Sequence, residues 1–386
     1  MKIKVQPNDF IVKEICNFEL ADHGPYQIYE LEKIGWDTFD LLDYLSRVYH
    51  IKEIGRAGIK DRYSHSFQFI SIRTNRVYNI NEKNFKLRFL GYSKSPITIN
   101  NLIKNWFSIT IRDLKENEIK KILSNIECVK KYGIPNYYDE QRMGSARAQG
   151  GFIAVLLAKK HYNGALKLYL ATPSKFDSSI TRKLKKHINT YWGKWDKCLS
   201  LSYDYGQLRY PLLYLKKHPK DFKGAIKTIR KDLLEMFINA YQAYVFNETL
   251  KAVLKSLPIS LFTVRYRFGE LYFYENLSPD IVNYLSNLII PSASYKSTFK
   301  ELTLKSIIEE ILQKDSLSLE KLKIDLGIKG VFFKPYERKA LIVPENLLVS
   351  EINSDELYKD RFKVTLSFCL PKGSYATILI KRLGHL

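Results

Sequence analysis

The stretch "AGIKDRYSHSFQF", Ala57 to Phe69, decides the reading of the fold. Its second half, continued as "FQFISI" (Phe67 to Ile72), alternates with period two, as a half-buried strand does. Gly58 just before it permits a tight turn. At that turn Asp61 stands between Lys60 and Arg62. Locally, such a carboxylate is either one member of a surface ion pair or a nucleophile or base presented by a loop. Working outward, "FIVKEI" (Phe10 to Ile15) and "FSITI" (Phe107 to Ile111) read as further strands. Between them, Asp37 or Thr38 caps a helix in which Phe39, Leu42, Leu45 and Val48 recur at helical spacing. A second helix is predicted from Glu116 to about Lys131, with Ile119, Ile122, Leu123 and Ile126 on one face and Gly133 as its stop. Both element types within the first ~130 residues predict a sheet domain of α/β or α+β class.

At 386 residues the chain has material for two or three domains. Sixty-two Lys and Arg against forty Asp and Glu give a net charge of +22, a field that collects polyanions. The 27 Tyr and 21 Phe that accompany the cations favour nucleic acid over anionic membrane, because aromatic faces stack on bases. The most apolar run, Gly150 to Ala158, is too short to span a bilayer, and "MKIKVQPNDF" lacks the apolar core of a signal peptide. Cys16, Cys128, Cys198 and Cys369 are far apart and form no CxxC pair, which predicts a reducing, cytoplasmic setting and no zinc site. No HExxH, GxGxxG or complete phosphate-loop pattern is present, so neither a metal nor a nucleotide cofactor is expected.

Charge concentrates in one place. Thr181 to Lys231 holds fourteen Lys or Arg and three Asp, a net +11 in 51 residues, with Tyr191, Trp192, Trp195, Tyr203 and Tyr205 interleaved. This stretch reads either as a solvated basic face or as an RNA-facing surface, with Lys183, Lys185 and Lys186 as phosphate contacts. Beyond it, "DLLEMFINAYQAYVFNETLKAVL" and "ELTLKSIIEEILQK" read as helices, "TVRYRFGELYFY" and "FKVTLSF" as strands. "IPNYYDEQRMGSARAQGG" (Ile134 to Gly151) reads as a loop that offers Tyr137 and Tyr138 for stacking, Arg142 and Arg147 for phosphate, and Gly144, Gly150 and Gly151 for close backbone approach. In "LPKGSYAT" (Leu370 to Thr377), Ser374 is expected to cap a helix.

Taken in order, these motifs resemble the TruD family of tRNA pseudouridine synthases. The resemblance runs from "KVQPNDFIVKEI" through "AGIKDRYSHSFQF" and "GIPNYYDEQRMGS" to "LSFCLPKGSYATILIKRL", nearly the whole chain. It implies an α+β catalytic domain with a mixed, largely antiparallel sheet flanked by helices, built from residues 1–161 and 341–386. A basic α/β insertion of residues 162–340 would interrupt it and bind RNA. Asp61 then matches the catalytic aspartate, Lys4 the basic residue paired with it, and Tyr138 the aromatic stacked on the target base. Asn136 and Gln68 match positions near the site, Phe10 and Arg142 are further candidate substrate contacts, and Lys60 and Arg62 are expected to face phosphate while Lys4 makes the ion pair. "YDEQRMG" and "YSHSF" depart from the usual family spelling, which touches substrate contacts rather than the reaction. The implied activity is isomerisation of uridine in tRNA, at position 13 of the D-arm, by a monomer with no cofactor and no protein partner. A non-catalytic RNA-binding protein on the same scaffold, or a synthase acting on other RNAs, is the alternative.

Overall fold

A computed structural model describes residues 1–144, 147–148, 151–174 and 177–384. The chain divides into two units, Met1–Ile134 with Ile342–Leu386, and Pro135–Leu341. Gly150 lies outside the described residues.

Alternating apolar residues build one large sheet in the first unit. Its strands are β1 (Phe10–Cys16), β2 (Tyr26–Ile34), β3 (Ile54–Arg56), β4 (His65–Ile72), β5 (Ile80–Glu82), β6 (Phe85–Ser93), β7 (Leu102–Leu114), β8 (Glu345–Ser354) and β9 (Phe362–Pro371). They run in the order β8-β9-β7-β1-β4-β2-β6-β5, with β3 paired to β4. Strands from both ends of the chain therefore lie side by side. β1 and β4 are parallel, with Ile11 opposite His65, and the other pairings are antiparallel. The sheet is mixed, largely antiparallel and flanked by helices, an α+β fold.

The helix Thr38–Val48 is capped by Asp37, whose carboxylate accepts from Phe39 N at 2.8 Å. Its buried residues are Thr38, Leu41 and Leu45, and the two leucines pack with Tyr29, Leu31 and Ile70 of the sheet. The expected stripe had the right period but was rotated, and Val48 is 50% exposed. The helix Glu116–Tyr132 buries Ile119, Ile122, Ile126 and Val129 and stops at Gly133 with φ +67°. There the left-handed backbone favours glycine. The last helix is Ala376–Leu383, with Tyr375 rather than Ser374 at its cap position. Ser374 donates its N–H to Pro371 O at 3.2 Å, so it closes the turn leading into the helix.

The second unit is mainly helical. Its longest helix, Lys231–Ser256, is buried nearly all round through Phe237, Tyr241, Phe246 and Leu250. A hairpin, Leu261–Tyr266 with Gly269–Tyr274, accounts for "TVRYRFGELYFY". The aromatics of the basic stretch mostly belong to this core. Trp195 and Tyr205 are buried and Tyr191 and Trp192 pack against them, whereas Tyr203 is 41% exposed. Apolar burial wins over surface display for most of these rings. No helix among the described residues is long and apolar enough to cross a membrane.

Candidate active site

The turn carrying Asp61 joins β3 to β4, and its backbone is gripped from below. Ala57, Gly58, Lys60 and Ser64 are buried, while Ile59, Asp61, Arg62 and Tyr63 are exposed. Thr38 Oγ1, at the start of the helix Thr38–Val48, accepts from Lys60 N at 3.0 Å and donates toward Lys60 O or Gln68 Oε1, each 3.1 Å away. Gln68 Nε2 donates to Gly58 O at 3.0 Å, and Ser64 Oγ to Asp61 O at 2.9 Å. Lys33, fully buried on β2, donates through Nζ to Trp36 O at 2.7 Å, to Asp61 O at 3.1 Å and to Lys60 O at 3.3 Å. Burial draws the Lys33 ammonium down to about 8, against the pull of Asp37 and Asp61 in the other direction.

Above the turn, Lys4 Nζ lies 3.1 Å from Asp61 Oδ2 and 4.3 Å from the centroid of the Phe10 ring. The Lys4 side chain is 15% exposed and that of Asp61 is 48% exposed, so the lysine is seated and the carboxylate open to solvent. Lys4 has φ +58°, a left-handed conformation that a non-glycine residue adopts only when its surroundings impose it. Those surroundings are the backbone bridge Lys2–Arg112 on one side and Asp9 on the other. Arg112 donates from Nε to both Asp9 oxygens, at 2.9 and 3.0 Å, and from Nη1 to Asp355 Oδ1 at 2.9 Å. The segment that carries Lys4 is thus fastened to β7 at both ends.

Lys60 does not share the surface with Asp61. It is 7% exposed, with Nζ at 2.9 Å from Glu14 Oε1 and 2.6 Å from Asn105 Oδ1. Its charge is spent inside the sheet, so it offers no ammonium to phosphate. Gln68, 1% exposed, likewise holds backbone rather than substrate. Arg62 is exposed, and its Nε donates to Gly35 O at 3.1 Å. Phe10 is 6% exposed and serves as the floor under Lys4.

Asn136, Tyr138 and Arg142 belong to the second unit. Asn136 is buried, with Nδ2 donating to Lys339 O at 3.0 Å and Oδ1 accepting from Arg338 Nη2 at 2.6 Å. Tyr138 is 7% exposed. Asn247 clamps its backbone on both sides, each bond 2.9 Å, while the Arg338 guanidinium lies 4.1 Å over its ring and Phe246 meets the ring edge-on. Burial, then the neighbouring Tyr138 hydroxyl, pushes the Tyr336 phenol well up. Arg142 is exposed on the short helix Glu140–Met143. On the helix Ser179–Thr190, Lys183 and Lys186 are exposed, but Lys185 is buried and paired with Asp177 at 3.0 Å. It is a fastening of the fold, not a phosphate contact.

Lys33, Glu14, Asn105, Asn247 and Arg338 were not singled out from sequence, and Thr38 only as a candidate helix cap. A signal for two of them existed. Lys33 shares an inward register with Tyr29 and Leu31, and Glu14 with Phe10 and Val12. A charged residue on the apolar side of an alternating strand has to be paired inside.

Fold and site together define an α+β protein that presents a lysine-paired aspartate on a turn held by buried side chains, an arrangement suited to nucleophilic or general-base chemistry. The model of one family, tRNA pseudouridine synthase D (TruD), matches residues 1–264 and 275–383, and the chain belongs to that family. A relative from Methanococcus maripaludis, named as a probable tRNA pseudouridine synthase D 1, is 35% identical over 396 residues and covers 100% of both chains. The tRNA pseudouridine synthase D of Aquifex aeolicus is 30% identical, covering 99% of this chain and 98% of its own. A crystal structure described as a TruD protein, from Methanosarcina mazei, is similar with a TM-score of 0.72 at 26% identity, over 100% of this chain and 93% of that one. The chain is accordingly an isomerase of tRNA uridine. Among the described residues no cluster of three or more His, Cys, Asp or Glu could hold a metal ion.

Proposed function

We propose that this chain converts uridine 13 in the D-arm of tRNA to pseudouridine, with Asp61 as the reacting carboxylate. The observation that carries the reading is the Lys4–Asp61 ion pair at 3.1 Å, set on a turn whose carbonyls are held by buried side chains. Isomerisation breaks the N1–C1′ bond, turns the uracil and joins C5 to C1′. The C5 proton leaves and N1 gains one, so the product has the composition of the substrate and no redox partner or group donor is consumed. Asp61 attacks C6 or C1′, or removes the ribose 2′ proton; each route needs a carboxylate held at one place and open to the base. Lys4 orients it, and the charged pair survives at a half-exposed site because the lysine is packed on Phe10.

Tyr138 is the platform for the extruded uracil. Its backbone clamp by Asn247 and the guanidinium of Arg338 fix the ring before RNA arrives. Because Tyr138 is buried in the chain alone, RNA binding has to uncover it. Arg62 on the first unit and Arg142, Lys183 and Lys186 on the second are the proposed phosphate contacts, all exposed, with residues 162–340 as the proposed RNA-binding insertion. The enzyme is proposed to work as a monomer in the cytoplasm. The test is incubation of purified protein with unmodified tRNA transcripts, followed by site-resolved pseudouridine detection. Conversion confined to position 13 supports the reading. Conversion elsewhere, or none, rejects the site assignment.

A further inference from the structure

Lys33 lies at the end of β2 with no exposed surface. An ammonium has three protons to donate, and Lys33 gives them to three carbonyls: Trp36 at 2.7 Å, Asp61 at 3.1 Å and Lys60 at 3.3 Å. Two of these acceptors are consecutive, and one belongs to Asp61 itself. Among the described residues no carboxylate lies within ion-pairing distance of Lys33. A buried cation normally costs several kcal/mol unless a carboxylate answers it. Here backbone dipoles answer it, with Asp37 from the helix cap and Asp61 from the turn attracting at longer range and Lys60 from the turn opposing.

We propose that Lys33 is the positioning residue of the Asp61 turn, and that its loss of a proton at alkaline pH releases the turn and switches off isomerisation. The inference rests on the assignment of Asp61 to the chemistry. A neutral amine has two protons and a lone pair for three carbonyls, so one carbonyl faces a lone pair and the other two lose charge-assisted bonds. Burial has already brought Lys33 down to about 8, which puts the change within reach of an ordinary assay.

The sign separates this device from general fragility. A lysine whose value is lower in the folded chain than in the unfolded one favours the native state as pH rises between the two. Lys33 therefore makes the fold more stable above pH 8 while making the turn less competent. A merely structural lysine would move stability and activity together.

The experiment is a single-turnover rate with unmodified tRNA from pH 6.5 to 9 for wild type, Lys33→Met and Lys33→Ala, the last with and without n-propylamine. The wild-type rate constant is expected to fall about tenfold between its plateau and pH 9, with tRNA affinity unchanged, as one group near 8 requires. Lys33→Met is expected to be slower at pH 7 by about tenfold or more, and flat over the range in which wild type falls. Propylamine should restore Lys33→Ala, and the restored rate should regain an alkaline fall. Ionisation of the uracil bends every profile alike and cancels in the comparison. A wild-type rate that is flat through pH 9, or a Lys33→Met protein with the wild-type rate and profile, overturns the proposal. If both variants fail to fold, the wild-type profile and its stability over the same range decide alone: activity and stability falling together also overturns it. An active Asp61→Asn protein would remove the assignment beneath, whereas an inactive one with a flat wild-type profile rejects Lys33 only.

Discussion

Replacing Arg112 by Met should unfasten the segment that carries Lys4. The Arg112 side chain is 4% exposed, Asp9 3% and Asp355 0%, so the change strands two buried carboxylates. Asp9 would keep its bond from Gln6 N at 2.8 Å, and Asp355 those from Asp113 N at 2.9 Å and Leu357 N at 3.0 Å. These bonds solvate the charges only in part. Removing one partner of a buried ion pair costs about 3–5 kcal/mol, which for a unit of this size lowers the melting temperature by roughly 6–20 °C. The assay is calorimetry of wild type, Arg112→Met, and Arg112→Met combined with Asp9→Asn and Asp355→Asn. Because the cost lies in the unpaired charges, the triple variant should recover at least half of the loss. Acid supplies a second readout. Burial pushes the Asp355 carboxyl up, but the N–H groups of Asp113 and Leu357 together with Arg112 bring it below its usual 3.8. Its contribution is therefore complete above pH ~4 and lost as pH falls through the lower folded value, so the gap between wild type and Arg112→Met should narrow in acid. A single variant within about 1 kcal/mol of wild type, or a triple variant less stable than the single, would refute this account of the N-terminal anchor.

Four further outcomes follow from named contacts. A methyl at Gly58 would collide with Glu14 Oε1 and crowd Lys60 Nζ at 3.1 Å, so Gly58→Ala should lower kcat more than tRNA affinity; equal kcat would show that the Glu14–Lys60 pair is not part of the support. Lys183→Glu with Lys186→Glu should weaken tRNA binding and shrink the log–log salt slope by roughly 1.5–2, at unchanged melting temperature. Lys185→Glu, in contrast, should destabilise the fold by about 3–5 kcal/mol through the orphaned Asp177, visible in urea titration. Asn247→Leu removes both bonds that clamp Tyr138 and should slow turnover with little effect on tRNA affinity; a change in affinity alone would place Tyr138 outside the chemical step.

Several strands and the second helix were legible because burial on one face writes a period into the sequence. β1, β4 and the helix Glu116–Tyr132 lie where period two and period 3.6 put them. The turn after Gly58 and the motif order that names the family were legible too. The polarity of individual lysines was not. Lys60 next to Asp61 and Lys185 between Lys183 and Lys186 read as surface charges, yet both are buried because a carboxylate, Glu14 or Asp177, waits for them inside. Such pairings join residues 46 and 8 positions apart and leave no local trace. The aromatics of the basic stretch misled in the opposite sense: Trp195 and Tyr205 fill a core that only the assembled helices reveal. Lys33 was overlooked although its register on β2 marked it, since an inward charge on an alternating strand signals a buried task.

The central claim is that the Asp61 carboxylate does the chemistry. The direct measurement is proton release from C5, followed as tritium set free from tRNA labelled at C5 of uridine, with wild type and Asp61→Asn at matched tRNA occupancy. Release stoichiometric with pseudouridine in wild type, and a loss of at least a thousandfold in Asp61→Asn with tRNA affinity unchanged, is the predicted result. Release by Asp61→Asn at a rate close to wild type would contradict it.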